Sequence, residues 1–505
     1  MYSAYYLLEK SVSDCLNGGN HDGALTVVKD FVFSIMSSSS APGEINGSKK
    51  LDDLCRSIGQ DFAKTQGKYE KIKSVVSDDD SVVIVCTGIY RYGGTSLLIA
   101  DLVKAHPGRK CVVLSTDLLG DVKAADLEAD RTGGTGSTLL RAPPGNCASK
   151  MNWLVDQLVE RRPSRIFLLN HHQDSVIIAA AQLFVQNSKV IFIHHADYNL
   201  CLGVHMSGVI HIDIHNVGYF NCRNKEQIRN NVYLPLVVSD HIKSPPREDF
   251  GSGELVTCSS GTAHKFLNFY LYPYSELIAQ RLAHRNGTHV HIGSLPEFDL
   301  DHIKSNLTKL GVDPARFIHV PWVKDLWSAL LEYKVDLFIG SFPIGGARTT
   351  LEVMAAGIPI IMHQSYLSRF YSSRDLAYPN HFVWKYPHQF IRLIEVIDGN
   401  TLAVHSRRAR GHYLAHYCYE AIDIPGEITR ICEGTPIMEA PPLYSHDPDL
   451  LDRALHYAHI SHIEQMQARS TALANQVVTM PAAVKNPWYG GLGLKFAKLL
   501  GQRKS

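Results

Sequence analysis

The sequence predicts an α/β protein of two parallel-sheet domains facing each other across a cleft, with a helical extension before them and a helical segment after them. Three observations lead there. Short β-branched runs alternate with stretches long enough for crossover helices. The alternation occurs twice, on either side of one proline-rich break, "HIKSPPREDFGSGE" (241–254). A chain of 505 residues also exceeds what one hydrophobic core usually supports.

Residues 1–75 read as a helical extension with a linker. Tyr6, Leu7, Val12 and Leu16, then Ala24, Val27, Val28, Phe31 and Val32, fall at helical spacing on either side of a break at "LNGGNHDGA". The Ser/Gly-rich stretch 37–48, "SSSSAPGEINGS", reads as the linker. In 76–245 the runs "SVVIVCTGI", "KCVVLST", "RIFLLN", "KVIFIHH" and "GVIHIDI" predict the buried strands of a Rossmann-like domain. Asp78, Asp79 and Asp80, just before the first run, read as a solvated turn. In 250–395 "LVTCSS", "THVHIGS", "RFIHVP", "VDLFIGS" and "IPIIMH" predict a second Rossmann-like domain, and 396–505 turns helical again.

Composition narrows the function. With 45% hydrophobic and 20% charged residues, the chain is ordinary globular material, neither disordered nor fibrous. A formal net charge of +1 gives no global reason to expect nucleic acid, and none is expected as a partner. The ten cysteines include no CxxC pair, which favours a reducing compartment over a disulfide or zinc-ribbon scaffold. The opening stretch lacks a basic n-region and a long apolar segment, and no later run reaches membrane-spanning length. The expectation is a soluble cytoplasmic protein.

The stretch with most chemistry is "VDLFIGSFPIGGARTTLEVMAAGIPIIMH" (335–363). An apolar strand enters a glycine loop, Thr349 and Thr350 open a helix, and Gly357 ends it before Pro359. Backbone N–H groups at such a helix start can cradle a diphosphate without a metal, and Glu352 can accept hydrogen bonds from vicinal hydroxyls such as those of a ribose. The plainer alternative makes Thr349 a helix cap and Glu352 its dipole partner.

This segment, of the form T-x-x-E-x-M-A-x-G-x-P, resembles the donor-binding signature of GT-B glycosyltransferases, and the resemblance extends over much of residues 254–395. "LVTCSSGTAHKF" is similar to the first strand and loop of their donor domain, which implies Gly261 and Lys265 near the diphosphate. "RFIHVPWVKDLWSALLEYKVDLFIG" is similar to the nucleobase segment, around Val320 to Lys324. The resemblance implies a donor site of Gly261, Lys265, Val320, Lys324, Gly345, Gly346, Arg348, Thr349, Thr350 and Glu352 for a nucleoside diphosphate sugar, a UDP-sugar above others. It also implies no further cofactor. Many retaining members carry a second glutamate eight residues before the ribose-binding one; here that position is Ile344. The "SFPIGGARTT" form is closer to O-GlcNAc-transferase-like and bacterial protein N-glycosyltransferase-like enzymes, which implies inverting, metal-independent transfer to a hydroxyl or amide in glycan or glycoprotein synthesis.

Two apolar runs end in histidines and an aspartate: "IFLLNHHQD" (166–174) and "VIFIHHADYNLCLG" (190–203). Successive strand residues point to opposite faces, so His194 and His195 cannot easily share one ion, whereas His195 and Asp197 share a face. A closed zinc site drawn from His171, His172, Asp174, His194, His195 and Asp197 requires the two strand ends to converge. Proton transfer is the expectation, with no metal. Both clusters sit at carboxyl ends of strands, where open α/β sheets bind ligands. His195 is read as the base, Asp197 as the group that orients it, and His194 or His172 as the runner-up. Lys265, Arg348 and the helix start at Thr349 and Thr350 would stabilise the leaving diphosphate. Downstream, His211, Asp213 and His215 alternate and read as a polar sheet face.

The end, "KNPWYGGLGLKFAKLLGQRKS" (485–505), is basic and amphipathic, suiting peripheral contact with the inner face of a membrane and a lipid-linked acceptor, or docking on the protein itself. Glycan and protein acceptors fit equally, since acceptor pockets are built from variable loops. Two other functions share these residues: a nucleotide-sugar epimerase or hydrolase, and a non-catalytic nucleotide-sugar-binding scaffold.

Overall fold

The computed structural model describes residues 3–37, 45–89, 94–120, 138–240, 246–250, 253–266 and 270–460. The first sheet contains β1 (Asp78–Cys86), β2 (Lys110–Ser115), β3 (Thr138–Arg141), β4 (Pro163–Leu169), β5 (Lys189–His194), β6 (Ile210–Asp213) and β7 (Val232–Tyr233). Its order is β3-β2-β1-β4-β5-β6-β7, and every pairing is parallel. The second contains β8 (Thr257–Ser260), β9 (His289–Ile292), β10 (Phe317–Val320), β11 (Leu337–Ile339), β12 (Ile360–His363) and β13 (Phe382–Trp384). Its order is β10-β9-β8-β11-β12-β13, again parallel throughout. The predicted pair of doubly wound α/β sheets is what the chain forms.

Each sheet reverses its strand order at a central strand, β1 in the first and β8 in the second. Ligands of open α/β sheets bind beyond the carboxyl ends of strands at such points. β8 runs out into Gly261 and Lys265, and its neighbour β11 runs out into the glycine loop before Ala347.

Alternation along β1 explains the layers. Val82, Ile84 and Cys86 belong to the core that also runs through the second sheet, while Val83 and Val85 face the opposite side. The helices Ala4–Asn17, His21–Met36 and Lys49–Thr65 cover that opposite side through Leu8, Val28, Ile58 and Phe62. The N-terminal helices are therefore part of the first domain's core, and Tyr6 and Leu7, read above as helix-face positions, are exposed. Gly59 is needed there, because a Cβ would overlap the Ala179 carbonyl oxygen on the helix Ser175–Ala181. Asp52 binds the same helical layer to the loop after β5: its two carboxylate oxygens accept from the N–H groups of Gly203 and His205, both at 2.7 Å. Asp78, Asp79 and Asp80 open β1 itself and are not a turn.

The C-terminal helices return across the molecule. In the helix Gly399–His416, Arg410 donates to Ala355 O (2.8 Å), and Tyr413 donates to Val238 O (2.8 Å) at the end of the first sheet's half. Lys189 of β5 donates to Cys432 O at 2.7 Å, on the helix Ile424–Glu433. One compact unit, ending at Pro448, holds both sheets; residues 450–460, which are helical, belong to a second. The basic tail 485–505 lies outside the described residues. Among the described residues no helix is long and apolar enough to cross a membrane.

Candidate active site

A cavity of about 270 Å³ opens between the two sheets. From the first sheet it is lined by His195 and Asp197, just beyond β5, and by His215, just beyond β6; from the second by Lys265, Gly345 and Gly346. Residues far apart in sequence meet here because all of them follow strand carboxyl ends.

His195 is partly exposed, and its Nδ1 donates to Ile193 O at 3.3 Å, which leaves Nε2 as the basic atom. Burial pushes its pKa down to about 4, so the ring is neutral and able to accept a proton at pH 7. Asp197 has a different partner from the one expected. Its carboxylate accepts from His215 Nδ1 at 3.1 Å, not from His195. Burial pushes the His215 pKa down, and Asp197 outweighs it, so the ring is held above its ordinary value. The Nε2 of His215 is buried without a hydrogen-bond partner among the described residues. Asn46, in the stretch read as a linker, is fully buried and donates to the Asp197 carbonyl at 2.6 Å, which holds this loop in place.

The runner-up bases are out of reach. His194 has no exposed side-chain surface and packs on Asp213 and Cys222. His172 is buried against Tyr198 and His171, and burial holds its pKa well below the ordinary imidazole value. The two histidine clusters do not converge on one ion: Asp174 accepts from Thr87, Thr116 and the Ile177 N–H as a helix cap, and His171 donates to Gln173.

On the other wall, the helix Ala347–Ala355 begins at Gly346 with no side-chain cap. A Cβ on Gly346 would stand 2.8 Å from the Lys265 ammonium, so glycine is what lets that cation lie over the helix start. Burial pushes Lys265 down to about 8. Gly345 donates its N–H to Tyr371 O, and a Cβ there would overlap the Ser372 carbonyl. An uncapped helix start, a glycine loop and a partly buried ammonium have the chemistry of an anion site.

Solved structures share this architecture. A glycosyltransferase of Rickettsia africae aligns with a TM-score of 0.54 at 12% identity, covering 70% of this chain and 98% of that one. HepE of Anabaena, solved in complex with UDP, aligns at 0.51 and 13% identity over 70% of this chain and 99% of its own. The lipopolysaccharide outer core galactosyltransferase WaaB, in its apo form, aligns at 0.51 and 14% identity over 70% and 99%. The chain has the GT-B fold. No protein-family model and no curated protein matches the sequence, so it is the fold that these likenesses establish.

Within the GT-B frame, the expected donor residues divide. Lys265, Gly345 and Gly346 line the cavity; Gly261 is not in its lining but lies beside the Lys265 side chain, where a Cβ would stand 2.9 Å from Lys265 Cδ, and its carbonyl accepts from His291 Nε2 at 3.1 Å. Thr349 is partly buried in the first helical turn, whereas Thr350 is buried and its hydroxyl donates to Gly346 O at 2.9 Å, closing the turn instead of facing the cavity. Arg348 points away from the anion site. It pairs with Asp101 at 3.1 Å, on the helix Gly94–Lys104 of the first half, and with Glu352 at 3.3 Å. Glu352 thus reaches its site already held by a cation, though burial still raises its pKa. Val320 ends β10 and Lys324 is exposed beyond it, both apart from the cavity lining. Sequence reasoning missed Arg369 and Asp375, an ion pair at 3.2 Å in the cavity wall, since neither sits in a motif. His215 carried a signal, its alternation with His211 and Asp213, that pointed to a shared face but not to Asp197.

Proposed function

We propose that this chain is a glycosyltransferase that moves a sugar from a nucleoside diphosphate sugar, a UDP-sugar, to an acceptor hydroxyl or amide, with inversion and with no metal at the diphosphate. One observation carries the reading: His195 and the anion site of Lys265, Gly345 and Gly346 line the same cavity from opposite sheets. A base on one wall and an anion cradle on the other is the arrangement an in-line displacement needs. His195 Nε2 takes the proton of the acceptor, whose oxygen or nitrogen attacks the anomeric carbon; the bond to the diphosphate breaks on the opposite face. The leaving charge falls to Lys265 and the helix N–H groups, an electrostatic role that elsewhere a divalent ion performs. HepE of Anabaena, of the same fold, was solved with UDP. The absence of a second acidic residue at Ile344 supports inversion.

His195 is preferred to His215 as the base because its ring is partly exposed, while His215 Nε2 is buried. The Asp197–His215 pair then shapes the wall beside it. A glycan, lipid-linked or protein acceptor fits this reading, in a cytoplasmic setting.

The test is a thermal-shift screen of the purified chain with UDP-, GDP-, CMP- and dTDP-sugars, since a ligand that binds only the folded state raises apparent stability. Each shift is read against ligand-free protein in the same buffer, with and without EDTA. A shift from UDP-sugars alone, equal in both buffers and lost in Lys265→Met, supports the donor site. No shift at millimolar donor removes it. Donor consumed without an acceptor would make the chain an epimerase or hydrolase, and binding without turnover a scaffold.

A further inference from the structure

Behind the cavity wall lies a second constellation. Four side chains from three consecutive elements converge: His194 at the end of β5, His211 and Asp213 on β6, and Cys222 on the helix Asn216–Asn224. All four are buried, and one ligand atom from each lies within 4.8 Å of the others. His194 Nδ1 stands 2.9 Å from Asp213 Oδ1, His211 Nε2 stands 3.3 Å from that same oxygen, and Cys222 Sγ stands 3.3 Å from His194 Nδ1. A tetrahedral ion with bonds of about 2.0–2.3 Å has ligand-to-ligand edges of roughly 3.3–3.8 Å. Two of the three separations meet that edge and the third falls a few tenths short of it.

Hydrogen bonding between neutral rings does not account for these contacts. His211 Nδ1 faces the Val204 carbonyl at 3.2 Å, which can only accept, so Nδ1 carries the proton and Nε2 turns a lone pair toward a carboxylate oxygen. His194 Nδ1 meets both that oxygen and the Cys222 sulfur, with one proton at most to offer them. A cation at the centre satisfies all four atoms together. Outer partners are present for two of the four: Val204 O fixes the His211 tautomer, and Asn231 Nδ2 donates to the other oxygen of Asp213 at 2.6 Å, while His194 Nε2 is buried without a hydrogen-bond partner among the described residues. A divalent ion against one carboxylate and one thiolate leaves no net charge in a region closed to water.

We propose that His194, His211, Asp213 and Cys222 form a closed four-coordinate site for a divalent transition-metal ion of the zinc class. Two nitrogens, one oxygen and one sulfur suit that class, and four protein ligands leave no open position for chemistry, so the role is structural. Binding releases the thiol proton to solvent. The ion would staple β5, β6 and the following helix at the point where His195 and His215 leave them, which fixes the acceptor-side wall of the cavity. His194 is then a ligand and not a base, and the diphosphate site on the other sheet is untouched.

The experiment is metal analysis of the full chain, purified without chelator and dialysed against metal-free buffer. About one zinc ion per chain is expected, with a lower Tm after chelation that zinc restores. Replacement by Co²⁺ should give the visible bands of a tetrahedral site and a thiolate-to-cobalt charge-transfer band; Cys222→Ser loses the second. His195→Ala keeps the full metal content, which separates failure of this site from failure of the transferase reading. Substoichiometric metal in the unmodified chain after growth and reconstitution with zinc, with no tetrahedral cobalt spectrum, would overturn the proposal whether or not any variant folds.

Discussion

Asp197 holds His215 by a hydrogen bond from Nδ1 at 3.1 Å, and so ties the loop after β5 to the residue that caps the helix after β6. Both residues line the cavity beside His195. The pair and the base can be separated by their couplings.

His195→Ala should lower kcat by about 10²–10⁴, the usual contribution of a general base, with UDP affinity unchanged. Asp197→Asn and His215→Ala should each lower it less, and their double variant should fall no further than the worse single. The check is a double-mutant cycle on single-turnover rates. Strong coupling of Asp197 to His195 in place of His215 would reverse the assignment.

Lys265 supplies the pH dependence. Its folded pKa, about 8, lies below the ordinary lysine value because burial penalises the charge. UDP affinity should therefore weaken as pH rises through 8, while Lys265→Arg, always charged, stays flat. For stability the sign is opposite. Between about 8 and 10.4 the unfolded chain binds a proton that the folded chain does not, so this group makes the ligand-free protein more stable as pH rises across that window. Calorimetric titration of UDP between pH 6.5 and 9.5 reads the first effect; a flat profile in the unmodified protein would remove Lys265 from the diphosphate.

Arg348 sits between two carboxylates, Asp101 and Glu352. Arg348→Ala leaves Glu352 without a counter-charge, and Asp101 with Lys104 alone, in a partly buried place and should cost about 3–5 kcal/mol. Asp101→Ala leaves Arg348 paired with Glu352 and should cost about 1 kcal/mol. Urea midpoints with unchanged slopes decide it. Equal costs would mean that the three-residue relay does not persist in solution.

Gly59 tests the N-terminal helical layer. Gly59→Val places side-chain atoms on the Ala179 carbonyl and should destabilise the fold by about 1–3 kcal/mol, the range for overpacking a close contact. If thermal melting of this variant matched the unmodified chain, the helix Lys49–Thr65 would not be docked as described.

The strands legible in the sequence are the interior ones and one edge strand, β10, whose run Phe317–Val320 is apolar at three of four positions. A parallel strand buried on both faces reads as an unbroken apolar run, as in Val190–Ile193 or Ile360–Met362. β3, β7 and β13 lie at sheet edges, where a few half-buried residues suffice, and they leave no such run. The N-terminal helices were legible as helices, since spacing reports a face. Their task of covering the first sheet was not, because spacing does not say what the face meets.

The candidate site divides the same way. Glycines before Ala347, a lysine after β8 and histidines after β5 stand in local order along the chain, so their positions at strand ends follow from the sequence once the α/β alternation is recognised. Pairings did not follow. Arg348 finds Asp101, Asp197 finds His215, and His194 finds Cys222 through crossovers of tens to hundreds of residues. Periodicity determines which way a side chain faces along its own element. Which charge or ring it then meets depends on strand register and on how the helices pack, and those are decided only when the whole chain has closed around its cores.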